Sequence, residues 1–334
     1  MSRKRVSFII MSASRSGRFF PGVCIDGPSS MVQVLIVGDH ESGKATFLTL
    51  LYAAAVKSGS GKADEFRFHA PIESMETASL LFQQLMAGAF PDAVTKQGIH
   101  ELILQVDSSR SRGGLLSRIR GKEGPSTLSE LRFTLLGALD EELPLILKGS
   151  VTAIGGWKNI LDGDVVTLLV DSTKLAAKVE GSELSPMSEY DASAETLMSA
   201  IQHLRQRDDR RLVYPAFAFT KFDRVNPDVL KAAKVGSSPP RVDDRARTTY
   251  AEALLGHNMP KSSALIRGRV KEGPGFAKPA YFFSWVRTEG SQPGRADRIR
   301  LRRAELSGWE PEYPREEYFA YLGYLENIAS RTRA

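Results

Sequence analysis

The feature that most constrains this chain is a glycine-rich turn between an apolar run and a segment with helical spacing. The apolar run, residues 32–38 (VQVLIVG), has the length of a strand buried on both faces. The turn, residues 38–44 (GDHESGK), has the form G-x-x-x-x-G-K. Its glycines let backbone N–H groups converge on one point, where the next helix adds partial positive charge and Lys44 adds a full one. The sequence therefore predicts a strand, a phosphate-binding loop and a helix over residues 44–56.

One position in this motif departs from its usual chemistry. A Ser or Thr normally follows the lysine and holds Mg²⁺ through its hydroxyl, but here the next residue is Ala45. Thr46 comes one place later and would point about 100° further round the helix. A tight strand-to-helix turn that binds nothing would explain the glycines but not the lysine. The predicted phosphate-contacting residues are Gly38, Asp39, His40, Glu41, Ser42, Gly43, Lys44, Ala45 and Thr46.

Strand-like and helix-like segments alternate along the rest of the chain. The predicted strands are residues 32–38, 99–107, 129–137, 163–172, 212–223 (running into a loop) and 278–286. The predicted helices are residues 44–56, 74–88 with Ser74 as its cap, 193–211 and 315–330. The side chains expected to face inward are Leu80, Leu81 and Leu85 on the second helix and Tyr318, Tyr321, Leu322 and Leu325 on the last. This alternation favours an α/β fold with one doubly wound, mostly parallel sheet and one antiparallel strand, as a single domain over residues 31–330.

Composition narrows the class of protein. Hydrophobic residues at 42% and charged residues at 25% are typical of a soluble globular chain, and the single cysteine, Cys24, excludes an internal disulfide. Residues 1–30 hold five basic residues and one acidic residue, so most of the net charge of +6 lies in what we expect to be a disordered basic tail. The charge is therefore weak evidence for nucleic-acid binding, and no apolar run is long enough for a membrane span. Met1 and Met31 both stay open as the start of translation.

A second motif, residues 220–223 (TKFD), follows a buried strand. It resembles the guanine-specificity motif of GTPases, usually N-K-x-D. The Asp of that motif accepts hydrogen bonds from the N1–H and the amino group of guanine, a donor pair that adenine lacks. The alkyl stem of the Lys covers the base, and Thr220 keeps a side-chain hydroxyl for the loop. A capped loop after a core strand is the alternative interpretation.

With these two motifs in this order, the chain resembles a Ras-like P-loop GTPase. More narrowly, it resembles the double-GTPase-like proteins of bacterial multigene and conflict systems, over about residues 31–330. The resemblance implies GTP or GDP as the ligand, and a cytoplasmic protein with protein partners encoded nearby. The guanine-contacting residues that it implies are Thr220, Lys221, Asp223, Ser284 and Trp285. For Trp285, a place in the core is the alternative to a contact with the base.

The same resemblance identifies positions where the metal and switch chemistry is altered. The D-x-x-G segment of the family falls on residues 135–142, where Leu136 and Leu139 replace the Asp and the Gly. The Asp orients metal-bound water and the Gly N–H senses the γ-phosphate. The candidate metal ligands that remain are Thr46, Thr95 and Asp107. Asp171 falls where the family has only a structural acid. With these metal positions altered, whether Mg²⁺ is used stays open.

These observations favour a guanine-nucleotide-binding regulatory protein that couples its nucleotide state to a partner protein, with slow hydrolysis or none. Two alternatives stay open: an NTPase completed by Asp107 or Asp140 and a partner, and a nucleotide-free pseudo-GTPase that acts as a scaffold. The candidate contact surfaces are residues 58–98, 108–128 and 286–312. Within the last of these, residues 294–303 hold five arginines, either as a solvated loop or as a patch for an acidic partner, a membrane surface or RNA.

Overall fold

The computed structural model describes residues 30–56, 66–69, 72–91, 100–108, 127–137, 163–177, 185–208, 212–242, 244–269, 275–290, 297–304 and 308–332. The strands are β1 (Ser30–Gly38), β2 (Phe66–His69), β3 (His100–Ser108), β4 (Thr127–Gly137), β5 (Val165–Asp171), β6 (Tyr214–Thr220), β7 (Ala280–Phe283), β8 (Leu301–Ala304) and β9 (Gly308–Pro311). The α-helices are α1 (Lys44–Val56), α2 (Ile72–Met86), α3 (Ser188–Asp208), α4 (Pro227–Ala232), α5 (Ala246–Asn258), α6 (Pro260–Arg269) and α7 (Arg315–Thr332). None of these described helices has a stretch long and apolar enough to cross a bilayer.

Seven strands form one sheet in the order β2-β3-β4-β1-β5-β6-β7. The five strands from β4 to β7 in this order are parallel neighbours, and β3 pairs antiparallel with both β2 and β4. The prediction of a doubly wound, mostly parallel sheet with one antiparallel strand is confirmed. The carboxyl ends of β1, β5 and β6 lie side by side at one edge, which is where ligands bind in open α/β sheets.

Alternate side chains of β1 enter two separate cores, one on each face of the sheet. Val34 and Ile36 pack in the core that contains residues of α1 and α7, whereas Leu35 and Val37 pack in the core that contains residues of α3 and α5. All four side chains are at most 1% exposed. Fully burying such a side chain contributes about 1.5–3 kcal/mol. The apolar run before the glycine-rich turn is therefore what anchors that turn in the sheet.

Helix α1 occupies the predicted residues, but α2 corrects two expectations. It begins at Ile72, so Ser74 lies inside the helix and does not cap it. Ala78, Leu81 and Leu85 are buried at spacings of three and four residues, whereas Leu80 is 48% exposed. The prediction for Leu80 was wrong because this buried stripe leaves it on the opposite side of the helix. The stripe predicted for the last helix is confirmed: Tyr318, Tyr321, Leu322 and Leu325 are all buried.

Two regions contain elements that were not predicted. Helices α4, α5 and α6 lie between the second motif and β7, and strand β2 lies at the edge of the sheet. The arginine-rich segment that was expected to be a loop contributes β8, which forms an antiparallel hairpin with β9. Glu310 in β9 is 2% exposed and accepts hydrogen bonds from Arg302 and Arg315. Part of the basic segment is therefore held in regular structure by a buried carboxylate.

Candidate functional site

The turn after β1 has the backbone geometry of a tight loop that opens onto a helix. Glu41 and Gly43 have φ values of +59° and +86°, and the N–H of Ser42 donates to the carbonyl of Asp39 at 3.2 Å. The first helical hydrogen bond runs from the N–H of Phe47 to the carbonyl of Gly43 at 2.8 Å. A Cβ placed on Gly38 would lie 2.2 Å from the Ser42 Oγ, so any other residue there would force Ser42 to shift. The loop therefore ends at the amino end of α1, where the helix dipole favours an anion.

Lys44 folds back over this loop. Its ammonium donates to the carbonyl of Gly38 at 2.9 Å and to that of Asp39 at 3.0 Å. Both carbonyls belong to the first two residues of the turn, so the Lys44 Nζ stands at the turn itself and not out in solvent. A single turn of chain thus brings together a helix amino end and a full positive charge. The sequence predicted Lys44 in the first turn of this helix, and its contact with phosphate stays a prediction.

Two acidic side chains accompany the loop, and they differ in environment. Asp39 forms an ion pair with Lys174, and its Oδ1 accepts from the N–H of His40 at 2.7 Å. Burial alone would raise the pKa of Asp39, but the hydrogen bonds from Lys174 and His40 and the charge of Lys44 hold it below its usual value. Glu41 is exposed, with its side chain 3.9 Å from the His40 Nδ1. Asp39 is thus ionised, and the charge of Lys174 offsets its negative charge, whereas Glu41 faces water.

The second motif lies directly against the loop. The Thr220 Oγ1 donates to the carbonyl of Ser42 at 2.8 Å, and Thr220 is 4% exposed. Thr220 ends β6, Gly38 ends β1, and β5 lies between them in the sheet. The two sequence motifs are therefore brought together at the same sheet edge by a buried hydrogen bond.

Lys221 and Asp171 form a second link at this edge. Lys221 has a left-handed backbone, with φ +51°, and its Nζ donates to the Asp171 Oδ2 at 2.8 Å. The other carboxylate oxygen of Asp171 accepts from the N–H and the hydroxyl of Thr173, at 3.0 and 2.7 Å. Asp171 is 2% exposed, and it caps the short 3₁₀ helix after β5. Asp171 therefore holds the Lys221 side chain in place, which is consistent with the structural acid expected at this position.

Asp223 belongs to the 3₁₀ helix after β6 and lies at the surface among basic side chains. Partial desolvation raises the pKa of its carboxyl group, while the charges of Arg224 and Arg287 act in the opposite direction. Arg224 donates to the Thr288 Oγ1 at 2.8 Å and to the Asp297 Oδ2 at 2.9 Å. Arg224 thereby fastens the loop that carries Asp223 to the segment that precedes the β8–β9 hairpin.

Ser284 and Trp285 directly follow β7, next to the same loop. The carbonyl of Ser284 accepts from the N–H of Phe222 at 3.0 Å, and the Ser284 hydroxyl is hydrogen-bonded to the hydroxyl of Tyr318. The Ser284 side chain is therefore used by the core. Trp285 is half-buried against the core, with the guanidinium of Arg287 5.2 Å from its ring centroid. Both residues border the second motif, and their contact with a base stays a prediction.

The candidate metal ligands are not brought together in the described part of the chain. Register pairing places Asp107 opposite Leu128, nine residues before Gly137, and Gly137 is the residue that pairs with Gly38. At about 3.3 Å per residue, Asp107 stands roughly 30 Å from the loop. The hypothesis that Asp107 serves a metal at the loop conflicts with this register, because antiparallel β3 ends at the other edge of the sheet. Leu136 is buried in the core.

The other predicted metal positions give no cluster. Thr95, Leu139 and Asp140 lie outside the described residues. Thr46 is half-buried in the first turn of α1. Over the ranges that the structure describes, no three His, Cys, Asp or Glu side chains converge as they would around a metal ion. Because Ala45 lacks the hydroxyl that holds Mg²⁺ in this motif, the residues described at the loop do not fit a resident Mg²⁺.

Sequence reasoning missed three basic residues at this site: Lys174, Arg224 and Arg287. Lys174 follows the carboxyl end of β5, and Arg224 and Arg287 follow those of β6 and β7. The available signal was positional, because residues just after parallel strands gather at one sheet edge. The ion pairs of Lys174 with Asp39 and of Arg224 with Asp297 join segments far apart in sequence, so no local sequence pattern indicates them.

No protein-family model matches the sequence, and no curated protein matches it at a significant level. Among solved structures, the chain is similar to one from the signal recognition particle receptor SRb-GTP/SRX complex of Chaetomium thermophilum. The similarity has a TM-score of 0.38 and 13% identity, over 76% of this chain and 91% of that one. A likeness of this size decides neither fold nor function, which rest on the strands and contacts of the chain itself.

Proposed function

We propose that this chain is a guanine-nucleotide-binding protein. The observation that carries the proposal is the hydrogen bond from the Thr220 hydroxyl to the Ser42 carbonyl, which holds the base-recognition motif against the phosphate loop. Either motif alone is a short pattern that a loop without any ligand can also have. Their contact at the carboxyl ends of β1 and β6 is what a nucleotide requires, because its base and its phosphates must be held together.

Each group has a distinct role in this proposal. The N–H groups at the start of α1 and the Lys44 ammonium bind the phosphates. The Asp223 carboxylate accepts the N1–H and the amino group of guanine, and the stem of Lys221 covers the base. The hydrogen bond from Lys221 to Asp171 supports this role, because it fixes the direction of the Lys221 side chain beside the loop.

The biological role that we propose is regulatory, with GTP or GDP as the ligand and slow hydrolysis or none. Phosphoryl transfer depends on neutralising charge with a metal and on an oriented water molecule. Leu136 in the core and Ala45 at the start of α1 supply neither group. The chain would then act by coupling nucleotide state to a protein partner in the cytoplasm, as its resemblance to bacterial double-GTPase-like proteins implies.

A thermal unfolding experiment with added nucleotides tests the proposal. GDP and GTP are expected to raise the melting temperature of the wild type, and ADP is not, because a ligand that binds only the native state stabilises it. Lys44→Ala should abolish the shift, while Lys231→Ala, at an exposed lysine of α4, should preserve it. The absence of a shift with any purine nucleotide would refute nucleotide binding.

A nucleotide-free scaffold is the second candidate, and a specific observation favours it. Asp39 and Glu41 place two carboxylates in a loop of seven residues where an anion should bind. Under this alternative, Lys44→Ala would leave partner binding unchanged. The ion pair of Asp39 with Lys174 weakens the objection to nucleotide binding, since it cancels one of the two charges.

A further inference from the structure

We propose that this loop binds its nucleotide without a divalent cation, with the ammonium groups of Lys44 and Lys174 as the cations that contact the phosphates. The inference rests on the proposed function, because it concerns how the same loop holds a diphosphate. Two observations support this inference. The side-chain oxygens around the loop are not arranged to bind a metal, and Lys174, to which the sequence motifs assign no role, lies at the loop.

The start of α1 offers no side-chain oxygen where a metal would need one. Ala45 ends in a methyl group, and Thr46 points about 100° away from it around the helix. The next hydroxyl on the Ala45 side of the helix belongs to Thr49. That residue is 2% exposed, and its hydroxyl donates to the Ala45 carbonyl at 2.7 Å. The hydroxyl is thus used within the helix, one turn below the loop.

The carboxyl end of the neighbouring strand β4, next to the loop, offers no carboxylate either. Leu136 pairs with Val37 in the sheet, one residue before the point where β1 enters the loop. Its side chain is 2% exposed and packs in the hydrophobic core. A buried leucine neither binds Mg²⁺ nor orients its water ligands, because Mg²⁺ takes oxygen ligands and keeps several waters.

Two of the three carboxylates near the loop, Asp39 and Asp171, are engaged by lysines, whereas Glu41 faces water. Asp171 is bonded to Lys221 and to Thr173 through its two oxygens. Asp39 is bonded to Lys174 and to the His40 N–H. A metal would have to displace a lysine from either residue before it gained a ligand.

Two ammonium groups flank the loop at Asp39. The Lys44 Nζ donates to the Asp39 carbonyl at 3.0 Å, and the Lys174 Nζ contacts the Asp39 carboxylate. The Lys174 side chain keeps 36% of its surface exposed, so it is accessible to a ligand that enters from solvent. A lysine acts on phosphate as a compact point charge, which is what a diphosphate in this loop requires when no metal is present.

Equilibrium titration of a fluorescent GDP analogue, in millimolar Mg²⁺ and in excess chelator, tests whether binding requires the metal. The proposal predicts dissociation constants that agree within about twofold in the two buffers. Binding that is strong with Mg²⁺ and at least about tenfold weaker with chelator would overturn it while leaving nucleotide binding intact. No binding in either buffer would instead refute the proposed function.

The same titration tests whether Lys174 contributes to nucleotide binding. Lys174→Met should weaken binding about 10- to 100-fold in both buffers, whereas the control Lys231→Met should leave it unchanged. The double variant Asp39→Asn with Lys174→Met separates two roles for the lysine. Weak binding by this double variant supports a direct action of Lys174 on the phosphates. Recovery to the wild-type affinity would show that Lys174 only neutralises Asp39, and would overturn its part in the proposal.

Discussion

The hydroxyl of Thr220 and the carbonyl of Ser42 are 2.8 Å apart, although 178 positions separate them in the sequence. This buried hydrogen bond joins the end of β6 to the turn after β1, across the intervening strand β5. It makes the spacing between the two loops a property of the rigid sheet. A ligand that spans both loops would therefore meet a preformed site, which lowers the cost of ordering on binding.

Thr220→Val removes this hydrogen bond while it nearly preserves the shape of the side chain. We expect the loss of a partner for the buried Ser42 carbonyl to lower the free energy of unfolding by about 1–3 kcal/mol. GDP affinity should fall as well, since the two loops are no longer held together. Urea unfolding without nucleotide measures the first effect. Thr249→Val, at an exposed position of α5, is the control, and equal stabilities of the two variants would contradict the proposed role of Thr220.

Asp223→Asn should change the base that is preferred. An asparagine still accepts the N1–H of the base through its carbonyl, but its NH₂ group meets the amino group of guanine as a second donor. Xanthine has a carbonyl at that position, so the variant should bind xanthosine diphosphate better than GDP. Losing a hydrogen bond to a charged group costs about 1.5–3 kcal/mol, roughly 10- to 150-fold in GDP affinity.

Competition titrations with the two diphosphates measure this change in preference. Asp228→Asn alters an exposed aspartate of α4 and should leave the preference for GDP intact. If Asp223→Asn kept the wild-type preference, Asp223 would not be the residue that reads the base.

Arg224→Met should alter how binding depends on pH. The proposed binding of guanine requires the Asp223 carboxylate, whose pKa is raised by desolvation and lowered by Arg224 and Arg287. Removing one of these positive charges raises the pKa further. On acidification, GDP affinity should therefore begin to fall at a higher pH in the variant than in the wild type.

Titrations of GDP at a series of pH values check this prediction for Arg224. Arg241→Met, at an exposed arginine before α5, is the matched control. The effect at neutral pH should be small, because exposed ion pairs such as that of Arg224 with Asp297 contribute about 0.2–1 kcal/mol. Superimposable pH profiles of the variant and the wild type would show that Arg224 does not act on Asp223.

Ala45→Thr places a hydroxyl at the position where a metal ligand is missing. We expect Mg²⁺ to strengthen GDP binding by this variant, because a loop hydroxyl and the phosphate oxygens together can hold the ion. Ala45→Val has nearly the same shape without the oxygen and should bind GDP equally well with and without Mg²⁺. The account of residue 45 would be contradicted if the valine variant, like the threonine variant, gained Mg²⁺ dependence.

Much of the central sheet could be predicted because its strands are buried on both faces. The runs that form β1, β5 and β6 are almost continuously apolar, so they can be recognised as strands from the sequence. Helix α5 was overlooked even though Tyr250, Ala251, Leu254 and Leu255 have helical spacing and are buried. Helix α6 offers little pattern, since few of its residues are apolar. Its position depends instead on contacts such as the Asp191 carboxylate accepting the N–H groups of Lys261 and Ser262.

The candidate site was predictable where a short motif follows a buried strand. Gly38 and Lys44 belong to the motif after β1, and Thr220 and Asp223 to the motif at the end of β6. The prediction for Asp107 failed because β3 runs antiparallel to β4, so the carboxyl end of β3 lies at the far end of the sheet from the loop. Lys174 was missed for a related reason, since its ion pair with Asp39 depends on which strands are neighbours.

The central claim is that one site reads guanine and holds its phosphates. Its most direct test is displacement of a fluorescent GDP analogue from the wild-type protein by unlabelled GDP and by ADP. The account predicts that GDP competes at a concentration at least about 100-fold lower than ADP, because adenine leaves the Asp223 carboxylate unpaired. Equal competition by the two nucleotides, or no binding of the analogue at all, would contradict it.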